Sequence, residues 1–473
     1  MTFSSLVFLC IFFPIVFCLH SFIPSIKVRN GLLIIASLIF YGFGEPVYVF
    51  LMIFSALFNY SSARLLERKT GSKGVLIFAV VVNIGLLCVF KYTGFLITTI
   101  NDLFKVGIPV PAIALPIGIS FFTFQALSYV IDVYRGKVEV QKSFPKVLLY
   151  ISFFPQLIAG PIVKYKDIEK EINEREVVIT EVAPGLRRFI LGLGKKVLIA
   201  NTMAVAADSV FALDKGDLNI LLAWIGAVAY ALQIYFDFSG YSDMAIGLGK
   251  MFGFNFRENF DYPYISVNVK EFWRRWHISL SSWFKDYVYI PLGGNRKGSL
   301  RTGLNKLIVF FLTGLWHGAN WTFVVWGLFH GFFSFLEEFV PAIRKLPRLI
   351  GHIYLMLVVI IGFVIFRADN MGQAFQVIGQ MLTGFNFDAA SLSLTMQQLT
   401  PFVIVMLVAA VIACGGGQKI YSGLVDKFTR GGELIKKQNL VEIITYVISF
   451  GILIWCILRL SSGSYNPFIY FRF

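Results

Sequence analysis

The sequence predicts an all-α polytopic integral membrane protein, and three observations carry that prediction. The mean hydropathy is +0.73. Of the 473 residues, 57% are hydrophobic and only 15% are charged. Apolar runs recur along the whole chain, many of them near the ~20 residues that a helix needs to cross a bilayer. Because lipid offers the backbone no hydrogen-bond partners, only helices and closed barrels span it, and runs without period-2 alternation favour helices.

The candidate membrane elements are the apolar segments, of which we expect about 11–13 in one domain over residues 1–473. No repeat of fixed period and no Gly/Ser- or Pro-rich linker divides the chain. In chain order, with boundaries good to a few residues, the segments are roughly 3–24, 31–43, 46–63, 74–96, 111–131, 145–163, 185–208, 218–238, 305–317, 320–340, 348–366, 398–414 and 440–460.

Segment 145–163 is expected to be re-entrant. The basic loop 135–146 before it and the highly charged stretch 164–181 after it are both expected on the cytoplasmic side. Both can lie there only if the segment between them enters and leaves the membrane on one side. Its end, FFPQLIAGPI, contains two prolines and a glycine. Broken backbone is tolerated at membrane depth where protein or a water-filled cavity surrounds it.

The charge pattern argues against a nucleic-acid-binding protein. The formal net charge is +15, but the basic residues lie in short loops between apolar segments, as the positive-inside rule predicts for cytoplasmic loops. The five cysteines lie in or beside apolar runs without CxxC spacing, which is typical of small buried hydrophobic residues.

Residues 269–287 are expected to form one amphipathic helix in the membrane interface. Its apolar and aromatic side is rich in tryptophan, which favours the headgroup level. Its other side carries Lys270, Arg274, Arg275 and Lys285, a basic face suited to a membrane surface.

Two carboxylates, Asp237 and Asp243, flank a Ser-Gly-Tyr-Ser sequence at the end of an apolar helix. Six residues apart, they do not share a helical face, so no acid/base dyad is implied. A structural role is favoured over catalysis. Asp243 is expected to cap a following short helix, and Asp237 to pair with a downstream arginine.

His317 is the strongest candidate for chemistry. It lies in LTGLWHGAN at the end of an apolar run, and Gly314 and Gly318 beside it would let a ligand approach. Histidine transfers protons near neutral pH, and a hydroxyl that attacks a thioester needs such a base. The alternative is a buried histidine bonded to a neighbouring helix. A second imidazole in another charged segment, His277, favours function because ionisable groups at membrane depth are costly.

The other histidines and the known motifs point elsewhere. His330 lies on a different helical face from His317 and is expected to be packed or interfacial; His20 and His352 are expected to be interfacial. No HExxH or HxxxH sequence occurs, so no metal site is expected. P-loop and GxSxG signatures are also absent from the sequence.

Several blocks resemble the membrane-bound O-acyltransferase family. The most specific are WRRWHISLSSWFKDYVYIPLGGNR and LTGLWHGANWTFVVWGLFHG, and further matches are ALPIGISFFTFQALSYVIDVYRG, FFPQLIAGPIVKY and LQIYFDFSGYSDMAIG. Together they cover most of residues 110–335. Within the family they are most similar to the bacterial proteins of polysaccharide O-acetylation, alginate included, and peptidoglycan O-acetylation. The teichoic acid D-alanyl transferases are more distant.

The resemblance implies a ring of transmembrane helices, with re-entrant and interfacial helices, around a central catalytic tunnel. His317 stands at the position of the family's essential histidine, and His277 at an upstream position that is His in bacterial relatives and Asn in many eukaryotic ones. By analogy the donor is acetyl-CoA or another acyl thioester, with no permanently bound cofactor. Arg274, Arg275 and Lys285 are candidates for contacts to the CoA phosphates; ordinary positive-inside charge explains them equally well.

The aromatic tail, residues 464–473, is either a membrane anchor or part of the chemistry. Phe468, Tyr470 and Phe473 are spaced like a terminal motif of cell-envelope acylation systems, in which a tyrosine is proposed to carry the acyl group. Tyr470 is therefore a candidate acyl carrier. The resemblance also implies the bacterial inner membrane, a polysaccharide acceptor and an extracytoplasmic partner transferase of the SGNH or a similar type.

Two other classes of function stay open from the residues alone. A transporter would use His317 and the aspartates as a proton or substrate relay, although no inverted repeat is detectable. A non-catalytic scaffold for cell-envelope enzymes is the other alternative.

Overall fold

The structure is a computed structural model, and it describes residues 1–69, 71–158, 160–417, 434–463 and 465–469. Helices form the regular structure of these ranges, and none of the residues in them belongs to a β-strand. The prediction of an all-α protein is therefore confirmed.

In chain order the α-helices of the described residues are α1 Phe13–Phe22, α2 Ile26–Gly42, α3 Tyr48–Arg68, α4 Lys73–Phe104, α5 Ile119–Tyr134, α6 Phe144–Ser152, α7 Phe154–Leu157, α8 Tyr165–Glu174, α9 Ile179–Gly194, α10 Asn201–Phe211, α11 Ile220–Met251, α12 Val269–Arg275, α13 Ile278–Phe284, α14 Gly298–His317, α15 Trp321–Phe339, α16 Arg348–Arg367, α17 Met371–Thr383, α18 Ala389–Gln398, α19 Pro401–Val411 and α20 Leu434–Ser461. Four π-helical segments extend them at Phe8–Phe12, Lys195–Ala200, Lys285–Tyr289 and Ile412–Gly416. Short 3₁₀ turns lie at Lys215–Asp217, Pro263–Ile265 and Ile343–Lys345.

Six helices in the described part of the chain are long and apolar enough to cross a membrane, and a seventh span results if α18 and α19, which meet at a 59° bend, count as one. The six are α3, α4, α9 continued into α10, α11, α16 and α20. Other predicted segments form shorter apolar helices, such as Phe8–Phe22 and Ile119–Tyr134. The chain is thus a multi-pass membrane protein.

The chain divides into two compact units. The first comprises residues 1–189 and 242–258, and the second comprises residues 190–241 and 259–473. The expectation of a single domain over residues 1–473 stays a prediction.

In the first unit, the predicted segment 145–163 is broken. Helix α6 ends before Phe153, whose backbone (φ −54°, ψ 112°) leaves the helical region, and α7 lasts only one turn. Residues 160–164, which lead into α8, are not helical, and the buried Tyr150 hydroxyl donates to the Val163 carbonyl in this stretch at 2.9 Å. This is the interrupted backbone that a re-entrant segment needs; the side from which it enters stays a prediction.

His20, also in the first unit, is not interfacial as expected. Its side chain is fully buried, with Nε2 lying 3.3 Å from Nη2 of Arg175 and its ring edge-on to Phe252 at 5.1 Å between centroids.

The two carboxylates expected to flank a helix boundary lie within one continuous helix, α11. In the first unit, Asp243 accepts hydrogen bonds from Arg188 at 2.8 and 3.0 Å, so it does not cap a following helix. In the second unit, Asp237 pairs with Lys196, which lies upstream in the chain and is not a downstream arginine. Both partner expectations are wrong, while the structural role favoured for the two carboxylates matches these ion pairs.

In the second unit, the expected single helix over 269–287 consists of three pieces: α12, α13 and the π-helical segment Lys285–Tyr289. The break falls at Trp276 and His277. The aromatic side chains of the segment are packed inside the unit; Trp276 and Trp283, for example, are each 4% exposed. The break aims His277 into the protein, which an unbroken interfacial helix would not do.

Candidate active site

Helices α14 and α15 form a closely packed antiparallel pair that positions His317. A Cβ added to Gly314 would lie 2.3 Å from the Phe323 carbonyl oxygen, and one added to Gly327 would lie 2.4 Å from the Phe310 carbonyl oxygen. Small residues allow two backbones to approach in this way. Gly314 therefore serves helix packing and not the approach of a ligand, as does Gly318, where an added Cβ would meet the Phe323 ring at 2.2 Å.

His317 is the last residue of α14 and is surrounded by aromatic rings. Its imidazole lies edge-on to Trp326 and Phe366, at 5.2 and 5.1 Å between ring centroids, and Trp316 lies at 5.0 Å. Asn320 caps the next helix by accepting from the Thr322 amide. The ring is 8% exposed, so it is buried but still reaches open space in the protein.

His277 has an unusual backbone for a residue that bears a side chain. It lies between α12 and α13 with φ 46° and ψ 55°, in the left-handed region. For most residues this conformation costs about 1–2 kcal/mol, and such backbones persist where surrounding contacts impose them. Here the Ile278 amide donates to the Asn259 carbonyl and the Asp261 amide donates to the Arg275 carbonyl, each at 2.9 Å.

Asn259 also fixes the imidazole of His277. Its Oδ1 accepts from the Ser279 amide at 3.1 Å and from the Ser279 hydroxyl at 2.9 Å, and lies 3.2 Å from His277 Nδ1. An amide N–H can only donate, so the atom that it meets is the carbonyl oxygen of Asn259. Nδ1 of His277 therefore carries the proton, and a neutral imidazole leaves Nε2 as an acceptor.

The environment keeps His277 neutral. It lies outside the helices that are long enough to span a membrane, and its side chain is 2% exposed. Burial lowers the pKa of His277 well below its usual range, and the neighbouring His317 lowers it further. Among the described residues nothing hydrogen-bonds its Nε2. The atom is thus suited to accept a hydrogen bond from a substrate hydroxyl and, while neutral, cannot donate one to an oxyanion.

One cavity of about 340 Å³ joins the two histidines. His277 and His317 both line it, together with Trp273, Phe284 and other apolar side chains. Four cationic residues also line it, and these are Lys270, Arg274, Lys285 and Lys306. Apolar walls with a few polar groups that converge are typical of a small-molecule site.

The cationic residues differ in how far they are engaged. Arg274 and Lys285 are exposed, and neither forms an ion pair within the described ranges. Lys306 is paired with Glu338 at 2.7 Å. Arg275 does not line the cavity; its guanidinium instead bonds Glu271 at 3.1 Å and Asp261 at 2.8 Å. Of the three candidates for phosphate contacts, Arg274 and Lys285 therefore line the cavity and Arg275 does not.

A second, much smaller cavity of about 10 Å³ also borders the site. It is lined by His317 together with Trp276, Trp326, Phe363, Phe366 and Ile469, among others. Ile469 belongs to the C-terminal tail, so the described part of the tail reaches the histidine. Tyr470, the next residue, lies outside the described residues, as does Phe473. The imidazole of His317 therefore borders two spaces at once.

Of the remaining histidines, His330 is packed in the interior of the second unit and His352 is partly exposed. His330 is 1% exposed and lies 5.1 Å from both the Trp273 and Trp326 ring centroids. His352 is partly exposed, and its Nδ1 lies 2.9 Å from the Ser266 carbonyl oxygen. Within the part of the chain that the structure describes, no three His, Cys, Asp or Glu residues gather as metal ligands do.

Two residues that hold the site were not identified from the sequence. Asn259 gave no local signal. Glu337 is 2% exposed and accepts from the Val269 and Lys270 amides at 2.7 and 3.1 Å, which fixes the start of α12. An acidic residue at the end of an apolar run is itself a signal of function and would have pointed to Glu337.

Comparisons with known proteins place these observations in a family. A model of the membrane-bound O-acyltransferase family matches residues 140–371. The chain is 40% identical to a probable alginate O-acetylase of Pseudomonas putida over the full length of both proteins. It is 37% identical to a peptidoglycan O-acetyltransferase of Helicobacter pylori, over 80% of this chain and 79% of that protein. A teichoic acid D-alanyltransferase of Bacillus subtilis is 28% identical over 53% of this chain and 67% of its own length. The chain belongs to the membrane-bound O-acyltransferase family and is an acyltransferase.

Proposed function

We propose that this protein is the membrane O-acetyltransferase of a bacterial cell-envelope polysaccharide. It takes an acetyl group from cytoplasmic acetyl-CoA, or from a similar acyl thioester, and passes the group across the inner membrane. A separate extracytoplasmic transferase, of the SGNH or a similar type, then places it on the glycan. The proposal rests on the family, on relatives named for alginate and peptidoglycan O-acetylation, and on the geometry around His317.

The observation that carries the proposal is the position of His317 between two spaces. One is the cavity that it shares with His277 and the cationic residues, and the other is the narrow cavity that it shares with Ile469. A base that borders both spaces can serve a donor in one and an acceptor in the other, as transfer between two substrates needs.

In the chemical step, the hydroxyl of the acceptor attacks the thioester carbonyl carbon. A C–O bond forms as the C–S bond breaks, and His317 takes the hydroxyl proton and returns it to the leaving thiolate. The single proton of the attacking hydroxyl goes to His317, so His277, with Nδ1 fixed by Asn259, accepts at Nε2 a hydrogen bond from an N–H of the acyl donor and orients the donor. Its neutral state argues against the alternative role of oxyanion stabiliser.

The exposed cations at the larger cavity suit a phosphorylated donor. Arg274 and Lys285, with Lys270, are placed to bond the phosphates of CoA, and charge-assisted contacts of this kind are stronger than neutral ones. The apolar interior would hold the thioester arm between them and the histidines. No permanently bound cofactor takes part in this scheme.

Tyr470 is the proposed first acceptor. Its phenol has an ordinary pKa near 10 and needs a base to attack a thioester at neutral pH, which His317 would supply. Support comes from Ile469, the residue before Tyr470, which lines the cavity at His317. The acetyl ester on the tyrosine would then be taken by the partner transferase.

Intact-protein mass spectrometry after incubation with acetyl-CoA tests the proposal. We expect wild type to gain one acetyl group, and His317→Ala and Tyr470→Phe to gain none while remaining folded in detergent. His330→Gln is the matched control, because His330 is equally buried but lines neither cavity. A gain that survives Tyr470→Phe would place the acceptor elsewhere, and a gain that survives His317→Ala would refute the base.

A further inference from the structure

A buried ion pair in the second unit has no part in the chemistry described so far. Lys196 Nζ lies 2.7 Å from Asp237 Oδ1, and the two side chains are 3% and 1% exposed. Helix α11 approaches the preceding helix closely at Gly240, where an added Cβ would lie 2.7 Å from the Gly192 carbonyl oxygen. This approach brings the two charges together, one turn before the glycine. Charges at membrane depth are expensive and in general mark function.

Both charges of the pair also bond the C-terminal tail. The Ile469 amide donates to Asp237 Oδ2 at 2.8 Å, and Lys196 Nζ donates to the Pro467 carbonyl oxygen. The ammonium lies 5.9 Å from the centre of the Phe468 ring, within range of a cation–π contact. Three consecutive residues of the tail are thus held by two side chains from elsewhere in the unit.

The tail needs such partners because its described part is not regular structure. Residues 465–468 belong to no helix or strand, so regular secondary structure does not pair their backbone N–H and C=O groups. Buried backbone N–H and C=O groups without partners are costly, most of all away from water. Further contacts continue the pattern, since Asn201 Nδ2 donates to Asn466 Oδ1 at 3.1 Å and the Tyr465 hydroxyl donates to Asp208 Oδ2 at 3.0 Å.

The ion pair also fixes where the tail meets the active site. Phe468 is 8% exposed and its ring lies 4.9 Å from that of Tyr241, while Ile469 is 5% exposed and lines the narrow cavity beside His317. The amide that Asp237 binds belongs to this same Ile469. The contact to the carboxylate therefore sets the position of the last described residue before Tyr470.

We propose that Lys196 and Asp237 are positioning residues that seat the C-terminal tail at His317. They act through the tail and not on the thioester donor. Without the pair, the tail leaves its seat and transfer to it stops, while the histidine site itself stays intact. This inference rests on the proposed role of Tyr470 for its catalytic consequence, but the seating itself is independent of that role.

The test compares three full-length variants with wild type. Lys196→Met/Asp237→Asn removes both charges together, so that neither is left buried without its partner, the change that most destabilises a fold. Ile469→Pro removes the amide that bonds Asp237 and leaves both charges of the ion pair in place, although it also replaces the side chain that lines the narrow cavity. Asp243→Asn is the control, because this carboxylate is on the same helix and pairs with Arg188 of the first unit.

Hydrogen–deuterium exchange of the C-terminal peptide measures the seating without any substrate. We expect the peptide that contains Ile469 to exchange about tenfold faster in the double variant and in Ile469→Pro, as the loss of about one net hydrogen bond implies. Peptides from α14 and α15 should exchange as in wild type in all variants, and Asp243→Asn should leave the tail peptide unchanged. Unchanged exchange of the tail in the double variant would overturn the inference.

Acetyl transfer distinguishes positioning from general damage. In the double variant and in Ile469→Pro, acetylation of Tyr470 should fall about 10²-fold, which is the scale for loss of a positioned reactant. His317-dependent transfer from acetyl-CoA to added p-cresol, a free phenol, should be retained or rise, because the tail no longer fills the acceptor side. A parallel loss of both transfers would mean that the pair only supports the fold, and would overturn the inference.

The failure of the proposed function would look different. If wild type acetylates no tyrosine, the carrier role of Tyr470 is refuted, and the exchange data alone decide the seating. Tenfold faster exchange of the tail peptide in the double variant and in Ile469→Pro would then still support the proposal that the ion pair positions the tail. Unchanged exchange would still refute it.

Discussion

Replacing Asn259 with alanine tests whether the fixed tautomer of His277 matters for catalysis. The substitution removes one oxygen that meets His277 Nδ1, the Ser279 amide and the Ser279 hydroxyl at 3.2, 3.1 and 2.9 Å. At about 1 kcal/mol net for each hydrogen bond, the loss in stability reaches about 3 kcal/mol. The imidazole also loses its orientation, and a displacement of about 1 Å at a reacting group lowers rates about 10²-fold.

The assay is release of CoA thiol from acetyl-CoA by the purified protein with p-cresol added as the acceptor, and thermal unfolding is measured in parallel. Asn305→Ala is the matched control. Asn305 is a fully buried amide in the same unit that donates to the Gly294 carbonyl at 2.8 Å and does not line the cavity. We expect both variants to lose stability but only Asn259→Ala to lose kcat. If the two variants show the same kcat, Asn259 is only structural and the reasoning fails.

Asn259→Asp tests the same contact through pH. It keeps an acceptor oxygen but places a negative charge beside the imidazole, which raises the pKa of His277. In wild type, burial lowers that pKa, so the neutral form persists below the ordinary value of about 6.5. The loss of kcat/KM on acidification should therefore begin at higher pH in Asn259→Asp. An acid limb that does not move would show that His277 does not act in its neutral form.

The lowered pKa of His277 also predicts how the stability of the folded protein changes with pH. The unfolded chain protonates His277 near pH 6.5, whereas the folded protein does so only at lower pH. The neutral imidazole therefore contributes its full share of stability above about pH 6.5, and this contribution declines as the pH falls below about 6.5. Thermal unfolding of wild type in detergent should show this decline, and His277→Gln should show less of it.

Two further sets of substitutions test the larger cavity and the helix pair. Arg274→Gln and Lys285→Gln should each raise KM for acetyl-CoA about tenfold, near the low end for a charge-assisted contact. Neither should change KM for an acetyl thioester without phosphates. Arg275→Gln is the control and should leave KM for both donors unchanged, because the Arg275 guanidinium is engaged elsewhere. Equal effects on both donors would rule out phosphate contacts. Gly314→Ala should force α14 and α15 apart, costing about 1–3 kcal/mol and most of the activity, whereas Gly379→Ala, where an added Cβ meets nothing within 4 Å, should be tolerated. An active, stable Gly314→Ala protein would contradict the packing role of this glycine.

The fold class was predictable because hydropathy reports it directly. Long apolar runs such as those of α4 and α16 become helices whatever their neighbours are. The broken helix at 269–287 was not predictable, because its amphipathic pattern continues across the break. The break depends on pairing with residues around Asn259, at a distance in sequence that no local pattern reveals.

The active site shows the same division. Residue chemistry and family resemblance singled out His277 and His317 as candidates, and the structure brings both to one cavity; their catalytic roles stay a prediction. The sequence could not tell which nitrogen of His277 carries its proton, since that depends on Asn259. Nor could it show that Asp237 pairs with Lys196 and that both charges hold the tail, because these contacts join residues far apart in the chain.

The left-handed backbone at position 277 limits which residues evolution can place there. Asn, Asp and His adopt this conformation far more readily than other side chains, and β-branched residues hardly adopt it at all. The backbone therefore admits an imidazole or a short amide or carboxylate most readily and strongly disfavours Val, Ile and Thr on conformational grounds alone. All three admitted side chains can accept a hydrogen bond from a hydroxyl. The turn that precedes α13 thus restricts the chemistry at this position before any substrate is bound.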